Sequence, residues 1–195
     1  MISKITICNL ALAQLGQSPI TSLTQEDEKA RRLNLFYEPV RDEVLRTHHW
    51  AFAGASESLA LLETEVDANG NFCYKYPTDA LFIRKVYDTS APQTLLPFRE
   101  AYNTDLHSRV LLIPCRQAIA EYTCRITDEN LFDPAFVKAF SLALACDLAV
   151  SLTADTALGG QLLQKYMLSL EEARRSNMAE SRATVPEHDA FTEVR

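Results

Sequence analysis

The stretch from Phe136 to Leu152, FVKAFSLALACDLAVSL, is apolar on nearly every side of a helix. A helix that is hydrophobic all round belongs in the middle of a bundle, covered by the stripes of its neighbours. Its start is marked by Asp133-Pro134, where Asp caps and Pro fits the first helical position. The rest of the chain therefore has to supply the covering helices.

Two of them precede it. Ser3 caps a first helix with Ile5, Cys8, Leu12 and Leu15 at alternating three and four spacing. Gly16 is its expected stop, with Pro19 beyond. The second spans Thr24 to Ala53 as one helical pattern ending in the single tryptophan, Trp50. Ala30, Leu33, Tyr37, Val40 and Val44 line one face, widened by Phe36 and Leu45, and Arg31, Arg32, Glu38, Arg41, Asp42, Glu43 and Arg46 line the other. Thr24 and Asp27 read as a capping box. Pro39 lacks an N–H and clashes with the preceding turn, which predicts a kink near 35–38 or two helices meeting there. A last helix starts at Asp155 or Thr156 and turns Leu162, Tyr166, Leu170 and Ala173 to one side, with Gly159-Gly160 weakening its first turns.

Between Trp50 and Asp128 the period changes. Residues 58–66, Asn69-Gly70 and the alternating Phe72, Tyr74 and Tyr76 predict a hairpin whose Asn-Gly turn supplies positive φ angles. Residues 81–87, 109–113 and 118–126 read as further strands, and 98–106 as a short helix. The expected fold class is α+β, mainly α: a discontinuous helical bundle from 1–50 and 128–180, a β-rich insertion at 51–127, and an extended, flexible C-terminal arm at 181–195.

Charge and cysteine usage narrow the function classes. A net charge of −7 argues against a protein that coats phosphates, since that binding rests on clustered Lys and Arg. The five cysteines are odd in number and none forms a C-x-x-C pair, which suits reduced core thiols in a cytosolic chain. No apolar run reaches the length of a membrane span, and the N-terminus reads as neither signal nor anchor.

Chemistry-bearing patterns are sparse. Glu38, Asp42 and Glu43 place carboxylates close together, but they share a helix face with Arg41 and Arg46, so a salt-bridged surface is the better reading than an acid pair in a cleft. His48 and His49 point about 100° apart on a helix, which disfavours a shared metal and favours capping of the helix end. His107 and Cys115 lack any oxyanion or orienting pattern. Residues 67–71 superficially match a calcium loop but lack its distal glutamate, so a turn is expected. No Walker loop, G-x-G-x-x-G or G-x-S-x-G is present.

Four segments in order then carry a likeness: ICNLALAQLGQSPITSL (7–23), the 30–53 run with YEPVRDEVLRTHHWAFA, YPTDALFIRKV (76–86) and YTCRITDENLFDPAFVKAFSLALACDLAVSLT (122–153). Together they resemble the tail tubular protein A type of head-to-tail adaptor from short-tailed bacteriophages, over the chain to about residue 181. The most specific series is Tyr37, Arg41, Leu45, Trp50 and Phe52-Ala53, a structural corner, with His49 standing where many relatives carry proline.

The resemblance implies a non-enzymatic virion protein without cofactor, catalytic residues or metal, assembled in the host cytoplasm into the tail. Such adaptors form a ring of about twelve subunits beneath the portal protein, extend the DNA channel and meet the tail nozzle protein. DNA passes without sequence-specific binding, which an acidic balance suits, and no membrane is involved. Val185, Phe191 and Val194 are the expected apolar anchors of a portal-docking arm. The competing readings are a tail-associated cell-wall hydrolase with Glu38 or Glu121 as acid, and a cellular regulatory or scaffolding protein.

Overall fold

In a computed structural model, residues 2–63, 66–91 and 94–180 are described. Among them the chain runs α1 (Lys4–Gln14), α2 (Glu28–Arg46), seven strands, α3 (Pro134–Thr153) and α4 (Thr156–Glu180). The strands are β1 (Gly54–Ser58), β2 (Leu61–Glu63), β3 (Phe72–Lys75), β4 (Ala80–Asp88), β5 (Arg99–Asn103), β6 (Ser108–Ile113) and β7 (Ala118–Cys124).

The expected mainly-α bundle is corrected by the weight of the β part. Helix holds 46% of the described residues and strand 23%, the strands forming two antiparallel sheets, so the fold is α+β without a helical bundle as its defining architecture. One sheet has the order β1-β7-β4 and the other β2-β3-β6-β5. The β part also has a core of its own, in which Tyr74, Ile83, Val86, Leu111, Ile113 and Ala120 are buried together. Short strands account for the underestimate. Strand β5 reads locally as a helical piece, but pairing with the next strand overrides that pattern, Arg99 opposite Leu112 through Asn103 opposite Ser108.

The helical layer is organised around α3, which packs against α1, α2 and α4. Phe136, Phe140, Leu144, Ala145 and Leu148 on it are fully buried. By length and composition α3 would pass for a membrane span, against the sequence expectation, and 61% of that stretch is buried inside the protein. Asp133 caps it, accepting from the backbone N–H groups of Ala135 at 2.8 Å and Phe136 at 3.3 Å.

The helix ends follow local chemistry. Ser3 caps α1, and Gly16, at φ +65°, ends it: Gly16 N–H donates to Ala13 and Gln17 N–H to Leu12, a paired closure that needs the left-handed residue. Asp27, not Thr24, caps α2, and Thr24 instead shares a hydrogen bond with Ser22 in the preceding turn. Helix α2 is a single element through Pro39, so of the two expected outcomes, a kink or two helices, the second does not occur; Pro39 is exposed, and Tyr37 and Val40 beside it are buried. The helix also stops before Trp50, at Arg46, and the chain turns there. Among the described residues of the β2–β3 hairpin only Gly70 takes positive φ, at +79°, while Asp67 Oδ1 accepts from the N–H groups of Asn69 and Asn71. The turn is thus held by an aspartate and one glycine rather than by both Asn and Gly.

Candidate functional site

The corner series is assembled where α2 meets the sheets. Trp50 is fully buried, edge-on to Phe136 at 5.2 Å between ring centroids and stacked with Phe52 at 6.1 Å. Phe52 in turn meets Phe132 and Phe136. Tyr37 lies one layer away, edge-on to Phe140 at 5.1 Å, with its hydroxyl donating to Glu129 Oε1 at 3.1 Å. Burial pushes the Tyr37 phenol far above its ordinary range, with the Glu129 carboxylate adding to the shift.

Arg41 is nearly buried, and its guanidinium donates from Nε and one terminal nitrogen to Asp42 Oδ1 at 2.9 and 2.7 Å. The other Asp42 oxygen accepts from Arg125 Nε at 2.8 Å. Asp42 therefore joins a helix arginine to one that follows β7. Tyr37, Arg41 and Trp50 are buried and Phe52 is partly so, and the four serve packing and bracing.

The end of α2 is closed by side chains from far along the chain. Trp50 Nε1 donates to the Val44 carbonyl at 3.1 Å, and Arg84 on β4 donates to the carbonyls of Arg46 and His48 at 2.9 and 2.7 Å. Arg174 on α4 donates to the Thr47 carbonyl at 3.2 Å. Asn177 donates to the His49 carbonyl at 3.0 Å and accepts from Ala51 N–H at 2.7 Å. Positive groups at a helix C-terminus also complement its dipole. The sequence predicts that the histidines cap this end, and they do not; the capping falls to Arg84, Arg174 and Asn177. His48 instead sits with Nε2 at 3.1 Å from Asn177 Nδ2. Partial burial, then Arg174, Arg84 and His49, hold its pKa below the ordinary imidazole value. Sequence reading missed Asn177, although it falls on the buried stripe after Leu170 and Ala173, where a polar residue signals a specific hydrogen bond.

The other sequence candidates separate. Glu38 pairs with Lys4 at 3.6 Å and stays exposed. Glu121 on β7 accepts from the Tyr87 hydroxyl at 3.2 Å and lies 4.0 Å from both His49 and Lys85. Glu43 has a different neighbour, Asp147, whose carboxyl is pushed up by partial burial and then by the Glu43 charge. His107 and Cys115 flank opposite ends of β6, which itself spans about 17 Å by strand rise, and so cannot act together. The Asp67 carboxylate is held low by its own loop's N–H groups, which occupies the oxygen a cation would need. Among the described residues no three His, Cys, Asp or Glu side chains gather as metal ligands.

Two hollows among the described residues differ in chemistry. A groove of about 540 Å³ runs between α1, α3 and α4, with Leu10, Val137, Leu142 and Leu168 along it. Leu168 is 74% exposed at its rim, continuing an apolar face with Leu163 and Met167 on α4. Ser169 is among the lining residues, with its hydroxyl oxygen buried and without a hydrogen-bond partner among the described residues. The second surface is a polar cleft of about 350 Å³ between α2 and the sheet, lined by Asp42, Arg46, Leu81, Arg109 and Arg125. Val185, Phe191 and Val194 lie outside the described residues. Compared with known families and proteins, the chain matches no family model and no curated protein.

Proposed function

We propose that the chain is a structural virion protein, a head-to-tail adaptor of the tail tubular protein A type, which assembles as a ring between portal and tail nozzle. The observation that carries this reading is the corner. Of Tyr37, Arg41, Leu45, Trp50 and Phe52, the most specific part of the resemblance, Tyr37, Leu45 and Trp50 lie in one buried core, Phe52 packs against it and Arg41 pairs with Asp42 at its edge. A generic amphipathic helix has no need of that ending.

Two further features support the reading. A closed ring of identical subunits needs two different lateral faces on each copy. The apolar face of α4 at Leu163, Met167 and Leu168 offers one, and the arginine-lined cleft beside Asp42 offers a chemically distinct one. The acidic balance of −7 suits a channel wall along which DNA slides.

The test is the particle mass by light scattering, alone and with the cognate portal ring. A gain equal to about twelve copies supports the adaptor, and no association at any ratio with a well-folded protein overturns it. In the same assay, deletion of 181–195 is expected to abolish portal binding and leave the circular dichroism spectrum intact. Unchanged binding would reject the arm as the docking element.

A further inference from the structure

We propose that the cleft between α2 and the sheet binds a phosphate group. It holds about 350 Å³ and is lined by Arg46 at the end of α2, Arg109 on β6 and Arg125 just after β7. Three guanidiniums thus meet one hollow from three separate elements, so their donors approach a ligand from different directions. Each is held in place by the fold. Arg46 donates from one terminal nitrogen to the Leu81 carbonyl at 3.2 Å and lies over the Phe82 ring at 5.1 Å. Arg109 stands over the Tyr76 ring at 4.0 Å and pairs through one terminal nitrogen with Glu100. Arg125 pairs through Nε with Asp42 at 2.8 Å. Side chains anchored in this way lose little further freedom when a ligand arrives. The Arg109 and Arg125 side chains are also about half exposed, so a ligand reaches them from solvent.

The class of ligand follows from the donors and acceptors left over. A guanidinium carries five N–H donors, and the contacts above use one nitrogen of each arginine. Acceptors are scarcer. One Asp42 oxygen takes both contacts from Arg41, the other takes Arg125, and Glu43 is the one further carboxylate lining the cleft. Charge runs the same way. Arg41 and Arg125 share the single carboxylate of Asp42, Arg109 has Glu100, and Arg46 forms no ion pair among the described residues. Arg84, over the same Phe82 ring at 4.5 Å, adds another cation, and burial followed by the Arg46 charge holds its pKa below the ordinary value. Guanidiniums therefore outnumber carboxylates around the cleft, even with Asp147, the neighbour of Glu43, included. Surplus donors and surplus positive charge call for a group that is negative and only accepts. A phosphate presents several acceptor oxygens in different directions, whereas a carboxylate is satisfied by one guanidinium fork. The net charge of −7 disfavours a surface that coats phosphates, not a single cleft that takes one.

The site does not depend on the adaptor reading, because it needs only one chain and a small ligand. The experiment titrates inorganic phosphate into the full chain at low salt, with sodium chloride at equal ionic strength as the reference, and follows backbone amide shifts by NMR. The expected result is a set of saturable shifts centred on Leu81, Arg109 and Arg125 that chloride does not produce. Arg125→Gln should weaken binding about tenfold, the scale of one lost charge-assisted hydrogen bond. Glu43→Gln should tighten it, since it removes a carboxylate that repels the ligand. A gain in affinity cannot come from misfolding, so the two signs together separate binding from damage to the fold. Lys165→Gln, outside the cleft, should leave the titration unchanged. Shifts that match those of chloride, fail to saturate or centre elsewhere would overturn the proposal, and so would affinities that neither cleft variant alters. Competition by a short single-stranded DNA assigns the bound phosphate to a phosphodiester backbone, and its absence assigns it to a free or terminal phosphate. Portal binding is scored separately by light scattering, so failure of either idea leaves the other readable.

Discussion

The side-chain amide of Asn177 on α4 closes on the backbone beside Trp50, accepting from Ala51 N–H at 2.7 Å and donating to the His49 carbonyl at 3.0 Å. One side chain thus satisfies two backbone groups where the chain leaves α2 and enters the short 3-10 helix Ala51–Ala53. Asn177→Ala is expected to cost about 1–3 kcal/mol, since it leaves partly buried polar groups unpaired. Asn177→Asp keeps the acceptor for Ala51 and loses the donor, so it should fall between the two. Urea unfolding followed through Trp50 emission measures all three, and equal midpoints for Asn177→Ala and wild type would reject the clamp.

The same corner carries a pH dependence. Asn177 Nδ2 lies 3.1 Å from His48 Nε2, and the amide donates only to an unprotonated ring nitrogen. With its folded pKa below the unfolded value, the folded state binds fewer protons. The contribution is therefore complete above about pH 6.5 and lost as pH falls through the lower folded value. The melting temperature should drop over that window, and His48→Gln should flatten this part of the profile. An identical profile in the variant counts against the assignment.

Asp147 gives the opposite sign. Partial burial first, then Glu43, raise its pKa, so the ionised carboxylate destabilises the fold at neutral pH. The protonated group is the favoured one, fully so below the unfolded value of about 3.9. Asp147→Asn should melt higher than wild type at pH 7, with the advantage shrinking as pH approaches that value. A lower melting temperature at pH 7 would contradict this.

Two glycines separate cleanly by conformation. Gly160 has an ordinary helical backbone with open space where a Cβ would stand, and Gly160→Ala is expected to stabilise by about 1 kcal/mol. Gly70 also has open space but sits at φ +79°, and Gly70→Ala should destabilise by about 1–2 kcal/mol from backbone strain. Chemical denaturation of the two variants checks both signs.

Much of the helical layer was legible because its signals are local. Ser3, Gly16, Asp133-Pro134 and Asp155 act on backbone groups within a few residues, and the buried stripe of Tyr37, Val40 and Val44 follows from helical period alone. The all-apolar run at α3 dictated its own central place, because no exposed position would tolerate it. The weight and layering of the β part were not local. Strand β5 acquires its conformation from pairing with β6, and the second core exists only once residues from β3, β4, β6 and β7 meet. The closure of α2 was decided the same way. Its free carbonyls take whichever donors the fold brings near, and packing brought Arg84 and Asn177 from 36 and 128 positions away rather than the adjacent histidines. A sequence states which groups need partners; which partners arrive depends on the distances that tertiary packing sets.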